Sequence, residues 1–461
     1  MAEVKASSLR RLLVTDKEFY KKTLLILIPV VLQSMINQGV NMMDTIMVGQ
    51  LGEVSISASS LSNQFYLIFN FLCMGVSAAG LVLASQYWGA KDYATVRRVF
   101  DLILQMVIAA GALMAVVTAL VPARIMAIYT NDPEVIQAGA KYLRITALIY
   151  LPHGVSLVIS NVIRSTGNAR LGLVVSLVSF FVNIFFNYAF IFGKFGFPVM
   201  GVAGAALGTL VARLVELAVT VVYLWKFEKA LQYRIHGLVK PPTRAMLGEF
   251  KRLGLPAVIS DTILALAASA ISMILGRMGR EVVSAYAIVA VLERLCTVAN
   301  MGVASAAGVI IGQSVGAGQF EQARREGFTF LLMSCAIGVL GMVIARAAGV
   351  WSIGLYEITE DTVAVARSMI SASAILVFFQ AVQSALSKGI LRGGGDTKFL
   401  MVADVLFQWC ASIPLGYLAG LVLGWTPFWV LIMLRIDYVI KSVWLCFRLA
   451  GDKWIHKAKD M

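Results

Sequence analysis

Asp44 stands where a charge is hardest to keep. It is the only charged residue between Lys22 and Glu53, and its neighbours are mainly apolar for a turn on either side. A charged Asp near mid-membrane costs roughly 2.5–3.5 kcal/mol on insertion scales. Taking up a proton removes that cost, and so does holding a Na⁺ among several oxygen ligands. The chemistry on offer is reversible cation binding inside a membrane. Glu293, beside Arg294, and Asp404 are further acids in apolar surroundings and are candidates to line a cavity. Arg213 and Glu216, three apart, either line it or pair with each other, while Arg435, Asp437 and Lys441 suit a structural ion cluster. Phe65, Tyr66, Phe69, Phe180, Phe181, Phe378 and Phe379 offer ring faces to a planar organic cation; packing and lipid contact are the ordinary alternatives.

Other chemistries lack their parts. His153, His236 and His456 are too far apart in sequence for metal-ligand spacing, and the five cysteines sit singly in or near apolar runs. Gly393-Gly394-Gly395-Asp396 resembles an intramembrane protease motif, but Asp396 lies in a basic turn without a second carboxylate to share a proton. The same glycines lack the Gly-Lys-Ser/Thr ending of a nucleotide loop.

The elements that must position these residues are membrane helices. The 461 residues are 59% apolar and 14% charged, with mean hydropathy +0.83. A soluble chain carries about a quarter charged residues. Apolar runs over 23–48, 56–85, 95–121, 133–163, 169–193, 200–226, 250–276, 283–313, 325–350, 361–391, 397–420 and 425–448 are each long enough to span a bilayer as a helix. The predicted fold is all-α, a polytopic membrane protein of about twelve transmembrane helices.

The net charge of +14 reports topology rather than nucleic acid. About 27 of the 39 Lys and Arg fall in one alternating set of connections, including Lys5, Arg10 and Arg11, the 226–252 stretch and the tail from Arg448. The opposite set holds about five: Arg124, Lys194, Arg277, Arg280 and Arg346. By the positive-inside rule both termini are cytoplasmic, in a multi-pass protein of the cell's inner (plasma) membrane.

The expected organisation is a tail at 1–22, an N-lobe at 23–226, a basic linker at 227–249 with Pro241 and Pro242, a C-lobe at 250–448 and a tail at 449–461. A shift of 227 residues carries Pro29 to Pro256, Gly49 to Gly276, Gly75 to Gly302, Gln86 to Gln313, Gly89 to Gly316 and Arg97-Arg98 to Arg324-Arg325. Each repeat holds six helices, an even number, so both enter the membrane in the same sense. Two parallel six-helix repeats with a path between them are a transporter architecture.

Several motifs carry a family resemblance. They are Pro29 with Asp44-Thr45-Ile46-Met47-Val48-Gly49-Gln50-Leu51-Gly52, Gln86-Tyr87-Trp88-Gly89-Ala90, Arg164-Ser165-Thr166-Gly167-Asn168, Asn183-Ile184-Phe185-Phe186-Asn187, Gly201-Val202-Ala203-Gly204-Ala205-Ala206 and Leu391-Arg392-Gly393. In these the chain resembles the multidrug and toxic compound extrusion (MATE) transporters, and the NorM-like branch most. The resemblance implies secondary active export of amphiphilic, cationic small molecules across the bilayer, with Na⁺ or H⁺ as coupling ion and no other cofactor; a monomer is expected. It places the cation site at Asp44, Asn183, Asn187 and Thr209, with Na⁺ held at Asp44, Asn183 and Asn187. In the second half the NorM-like pattern expects acids. Leu264 occupies one such position, Asp261 lies almost one turn earlier, and the other region offers only Gln380 and Gln383. The rivals are a flippase for a lipid or lipid-linked substrate, a channel, and a membrane-embedded enzyme, for which no paired catalytic constellation is found.

Overall fold

The computed structural model describes residues 13–226, 228, 231, 233, 238, 240–353, 359–451 and 453–459, less the side chain of Arg280. Lys5, Arg10, Arg11, His236 and much of the basic linker lie outside the described residues. The described chain is helical from end to end. The first half contains α1 (Lys17–Gly49), α2 (Glu53–Gly89), α3 (Tyr93–Leu120), α4 (Pro122–Tyr129), α5 (Pro133–Thr146), α6 (Tyr150–Ser165), α7 (Arg170–Phe192) and α8 (Gly201–Lys226). The second contains α9 (Arg244–Glu249), α10 (Leu255–Arg277), α11 (Arg280–Gly316), α12 (Phe320–Ile353), α13 (Glu360–Ser384), α14 (Thr397–Asp404), α15 (Ile413–Tyr417), α16 (Pro427–Leu434) and α17 (Ile436–Ala450). Turns of π-helix at Phe250–Gly254, Ala385–Leu391, Val405–Ser412 and Leu418–Val422 join neighbouring α segments.

Among the described residues ten helices are long and apolar enough to cross a membrane, and eleven if the pair α5 and α6 counts as one span. That pair is the expected 133–163 segment, bent by 50°. The cause lies in Pro152: without an N–H it cannot bond the Leu148 carbonyl, so the helix stops at Thr146 and restarts at Tyr150. The expected 425–448 segment is likewise two pieces, α16 and α17, meeting at Arg435 (φ −124°, ψ 17°). Its guanidinium leaves the apolar run to reach the hydroxyls of Tyr438 (2.9 Å) and Tyr286 (3.2 Å). The short helix α4 is a further difference from the expected pattern.

Contacts divide the chain into two compact units. One comprises Leu32–Ala84 and Asp92–Leu247, the other Met1–Val31, Ser85–Lys91 and Gly248–Met461. In the first, α7 and α8 pack along their length because α8 presents glycines to α7. A Cβ on Gly204 would stand 2.6 Å from the Phe190 carbonyl, and one on Gly208 would meet Asn187. An apolar cluster of Met47, Val48, Ile191 and Ala205, covered by Met43, Leu51, Tyr142 and Ile184, sits within a turn of Asp44. The second unit has a larger core built on α10, α11, α12, α13 and α16, with Ala419 from the π-helical turn at Leu418–Val422.

Candidate functional site

Five helices of the first unit each contribute a stripe at helical spacing to one cavity of about 270 Å³. α1 supplies Val40, Asn41, Asp44, Thr45 and Val48; α2 supplies Ile56, Ser59, Ser60, Asn63 and Tyr66. Ser179 and Asn183 come from α7, Ala205, Thr209 and Arg213 from α8, and Tyr142 and Thr146 from α5. Asp44 and Arg213 are the charged groups of that wall.

A chain of amides leads to the carboxylate. Asn187 Nδ2 donates to Asp44 Oδ1 at 2.6 Å and stands 3.2 Å from Asn183 Oδ1. Asn183 Nδ2 in turn lies 3.4 Å from Thr209 Oγ1, which itself donates to the Ala205 carbonyl at 3.0 Å. The residues that the resemblance assigned to a cation site are thus brought together, from three helices. Asn187 is 1% exposed, and its Oδ1 is a buried acceptor with no donor. A buried carbonyl oxygen left without a partner costs about 1–3 kcal/mol. That oxygen lies against Gly208, whereas Asp44, Asn183 and Thr209 line the cavity and carry hard oxygens of the kind that suits a small cation.

A model of the MatE family matches residues 29–189 and 256–418. This chain belongs to the MatE family. The two matched stretches begin at Pro29 and Pro256, the prolines that the internal repeat superposes, so the MatE unit occurs twice. Among MatE relatives, the chain is 27% identical to the "Probable multidrug resistance protein NorM" of Agrobacterium fabrum (strain C58), over 92% of this chain and 94% of that protein. The protein of the same description from Thermotoga maritima is 25% identical, over 96% and 94%. Among solved structures, the outward-facing conformation of a multidrug resistance MATE family transporter of the MOP superfamily superposes with TM-score 0.85, at 17% identity, over 94% of this chain and 96% of that one. A MOP superfamily transporter from Pyrococcus furiosus gives 0.83 at 17% identity and the same coverage. The MatE chain therefore has the transporter fold, is a multi-pass membrane protein and is not an enzyme.

The acids of the second MatE repeat have a different setting. Asp261 forms a two-pronged pair with Arg392, at 2.9 and 3.0 Å. Asp404 is 1% exposed, pairs with Lys441 at 2.9 Å and receives the Ser260 hydroxyl; Lys441 also lies 3.1 Å from Asp437. Glu293 accepts from Ser373 at 2.8 Å. Gln383 is 5% exposed and Gln380 half-buried, both on α13. Among the aromatics Tyr66 lines the cavity, whereas Phe69 is fully buried edge-on to Tyr150 and Phe65 packs on the Ala58 and Met126 cluster. Phe181 points outward at 63% exposure, Phe180 lies against Gly39, and Phe378 and Phe379 line a separate apolar groove with Cys335 and Phe447. Tyr142, also in the cavity wall, escaped the sequence analysis because nothing marks it locally among the other tyrosines.

Proposed function

We propose that this protein exports amphiphilic organic cations by alternating access, in exchange for Na⁺ or H⁺ taken up at Asp44. The observation that carries the reading is a membrane-embedded carboxylate held by an amide, in the wall of a cavity that Asn183 and Thr209 also line. The names of the relatives, multidrug resistance proteins, support the substrate class. Tyr66 offers an aromatic face to a planar cation, a contact of about 0.5–2 kcal/mol. The coupling ion would bind Asp44, Asn183, Asn187 and Thr209 and release the drug by neutralising the carboxylate that attracts it. One cation in for one cationic drug out moves no net charge, so the ion's own chemical gradient drives the exchange. The lipid-carrier alternative calls for a strongly cationic cavity, and this wall carries one carboxylate and one guanidinium. The charge asymmetry of the connections supports a plasma-membrane orientation with cytoplasmic termini.

The test is ethidium transport in proteoliposomes under separately imposed Na⁺ and pH gradients. Asp44→Asn should lose gradient-driven transport while its thermal unfolding midpoint stays within a few degrees of wild type. Undiminished coupled transport by that variant would reject the assignment.

A further inference from the structure

The cavity wall holds one more charge than cation uptake at Asp44 requires. Arg213 lies one turn beyond Thr209 on α8, about 6 Å along the axis, and so shares its face. Its Nη1 stands 2.5 Å from Glu216 Oε2. The Arg213 side chain is 26% exposed and that of Glu216 11%, and Arg213 lines the cavity while Glu216 is outside the lining. Arg213 therefore shares the cavity wall with Asp44, while its carboxylate partner stands outside that wall. Arg213, Tyr66 and Asp44 all line the same cavity. The other titratable groups nearby are Tyr142 on α5, in the cavity wall, and His153 on α6, which packs against Tyr66.

A pair serving packing alone has no need to place its cation in the wall of the cavity that holds Asp44. The charges around the cavity are two carboxylates, Asp44 and Glu216, and one guanidinium. One negative charge is left for a cation from outside, and either carboxylate can be the one that Arg213 satisfies. We propose that Arg213 is a shared counter-ion of the coupling site: it pairs with Glu216 while the coupling cation occupies Asp44, and turns to Asp44 when that cation leaves. Arginine suits the task because its planar fork engages either carboxylate through two parallel hydrogen bonds and stays charged throughout. The resident guanidinium competes with the coupling cation, which keeps binding weak enough for release. It also spares the emptied cavity an uncompensated carboxylate, a burden that would otherwise hold the cation in place. The inference rests on the reading of Asp44 as the uptake site.

The experiment measures, on the full-length protein in detergent with trace ethidium, the half-saturating concentration of Na⁺, and separately of H⁺, for displacing the bound dye. Removing the pair with Arg213→Gln and Glu216→Gln together should lower that concentration about tenfold, equivalent to about 1.4 kcal/mol of tighter binding. Glu216→Gln alone should raise it by a similar factor, because Arg213 then has only Asp44 to pair with. The opposite directions separate a shared counter-ion from a structural pair, whose loss would move unfolding midpoints and leave cation titration where it was. Midpoints shifted with both titrations unchanged would overturn the proposal. Should the double variant fail to fold, Glu216→Gln carries the test by itself, and an unshifted or tighter titration there is equally fatal. Asp44→Asn, run in parallel, separates the two ideas: if it still couples, the uptake site lies elsewhere and the counter-ion proposal falls with it. If it uncouples and the pair variants titrate like wild type, only the role of Arg213 is lost.

Discussion

Asn187 serves Asp44 through a side chain that has almost no room to move. Its amide is clamped between the carboxylate on α1 and the bare Cα of Gly208 on α8. A methyl group at position 208 would collide with the Asn187 Oδ1 and stand 2.8 Å from its backbone nitrogen. Overpacking of this kind costs about 1–3 kcal/mol. Gly208→Ala should therefore lower the unfolding midpoint in detergent and weaken cation-driven displacement of ethidium together. Gly276→Ala, where a Cβ meets nothing within 4 Å, should leave both as they are or raise the midpoint slightly. An unaffected Gly208→Ala protein would mean that Asn187 can move aside freely. At this scale the sequence was informative wherever a residue type was rare in its setting. A lone carboxylate in an uncharged run marks Asp44, and two asparagines four apart mark one face of α7. Tyr142 carries no such mark, since a tyrosine in an amphipathic helix is commonplace and only packing decides what it faces.

Proline gives the elements their joints. Pro29 removes the helical hydrogen bond to the Leu25 carbonyl inside α1, and two residues later, between Val31 and Leu32, the helix passes from one packing unit to the other. A helix that lacks one of its hydrogen bonds bends more easily there. Pro29→Ala should slow ethidium turnover several-fold while the cation titration of bound ethidium stays within about twofold, measured as transport rate against equilibrium displacement. An equal loss in both would place the effect at the site instead. The breaks before Pro152 and at Arg435 were hidden from a hydropathy reading, which averages over a window and sees both arms as one apolar run. The spans themselves were legible because hydropathy adds up along the chain regardless of what packs against it.

The two repeats meet reciprocally. A Cβ on Gly89 would fall within the van der Waals shell of the Gln313 carbonyl, and one on Gly316 within that of the Gln86 carbonyl, so each repeat's glycine receives the other's glutamine backbone. Gln86 also ties in the C-terminal segment: its Oε1 accepts from Ala458 N at 2.7 Å, and its Nε2 reaches the carbonyls of Gly393 and His456. Nearby Trp454 is fully buried against Gly394. Backbone cannot rotate out of the way as a side chain can. Gly89→Ala and Gly316→Ala should each cost at least about 1–3 kcal/mol, by similar amounts, seen as matched drops in unfolding midpoint. A large effect from one and none from the other would break the reciprocity.

Membrane embedding, helix spans, the doubled unit and a lone acid at position 44 in an apolar run were all legible in the amino-acid sequence, because each depends on local composition or on spacing along the chain. Which acids are already neutralised depends on partners brought from far away. Arg392 reaches Asp261 across 131 residues and Lys441 reaches Asp404 across 37, while Asn187 arrives at Asp44 from 143 residues away with an amide and no charge. Tertiary packing alone made that distinction, since a carboxylate paired with a cation is neutralised by it and one bonded to an amide is not.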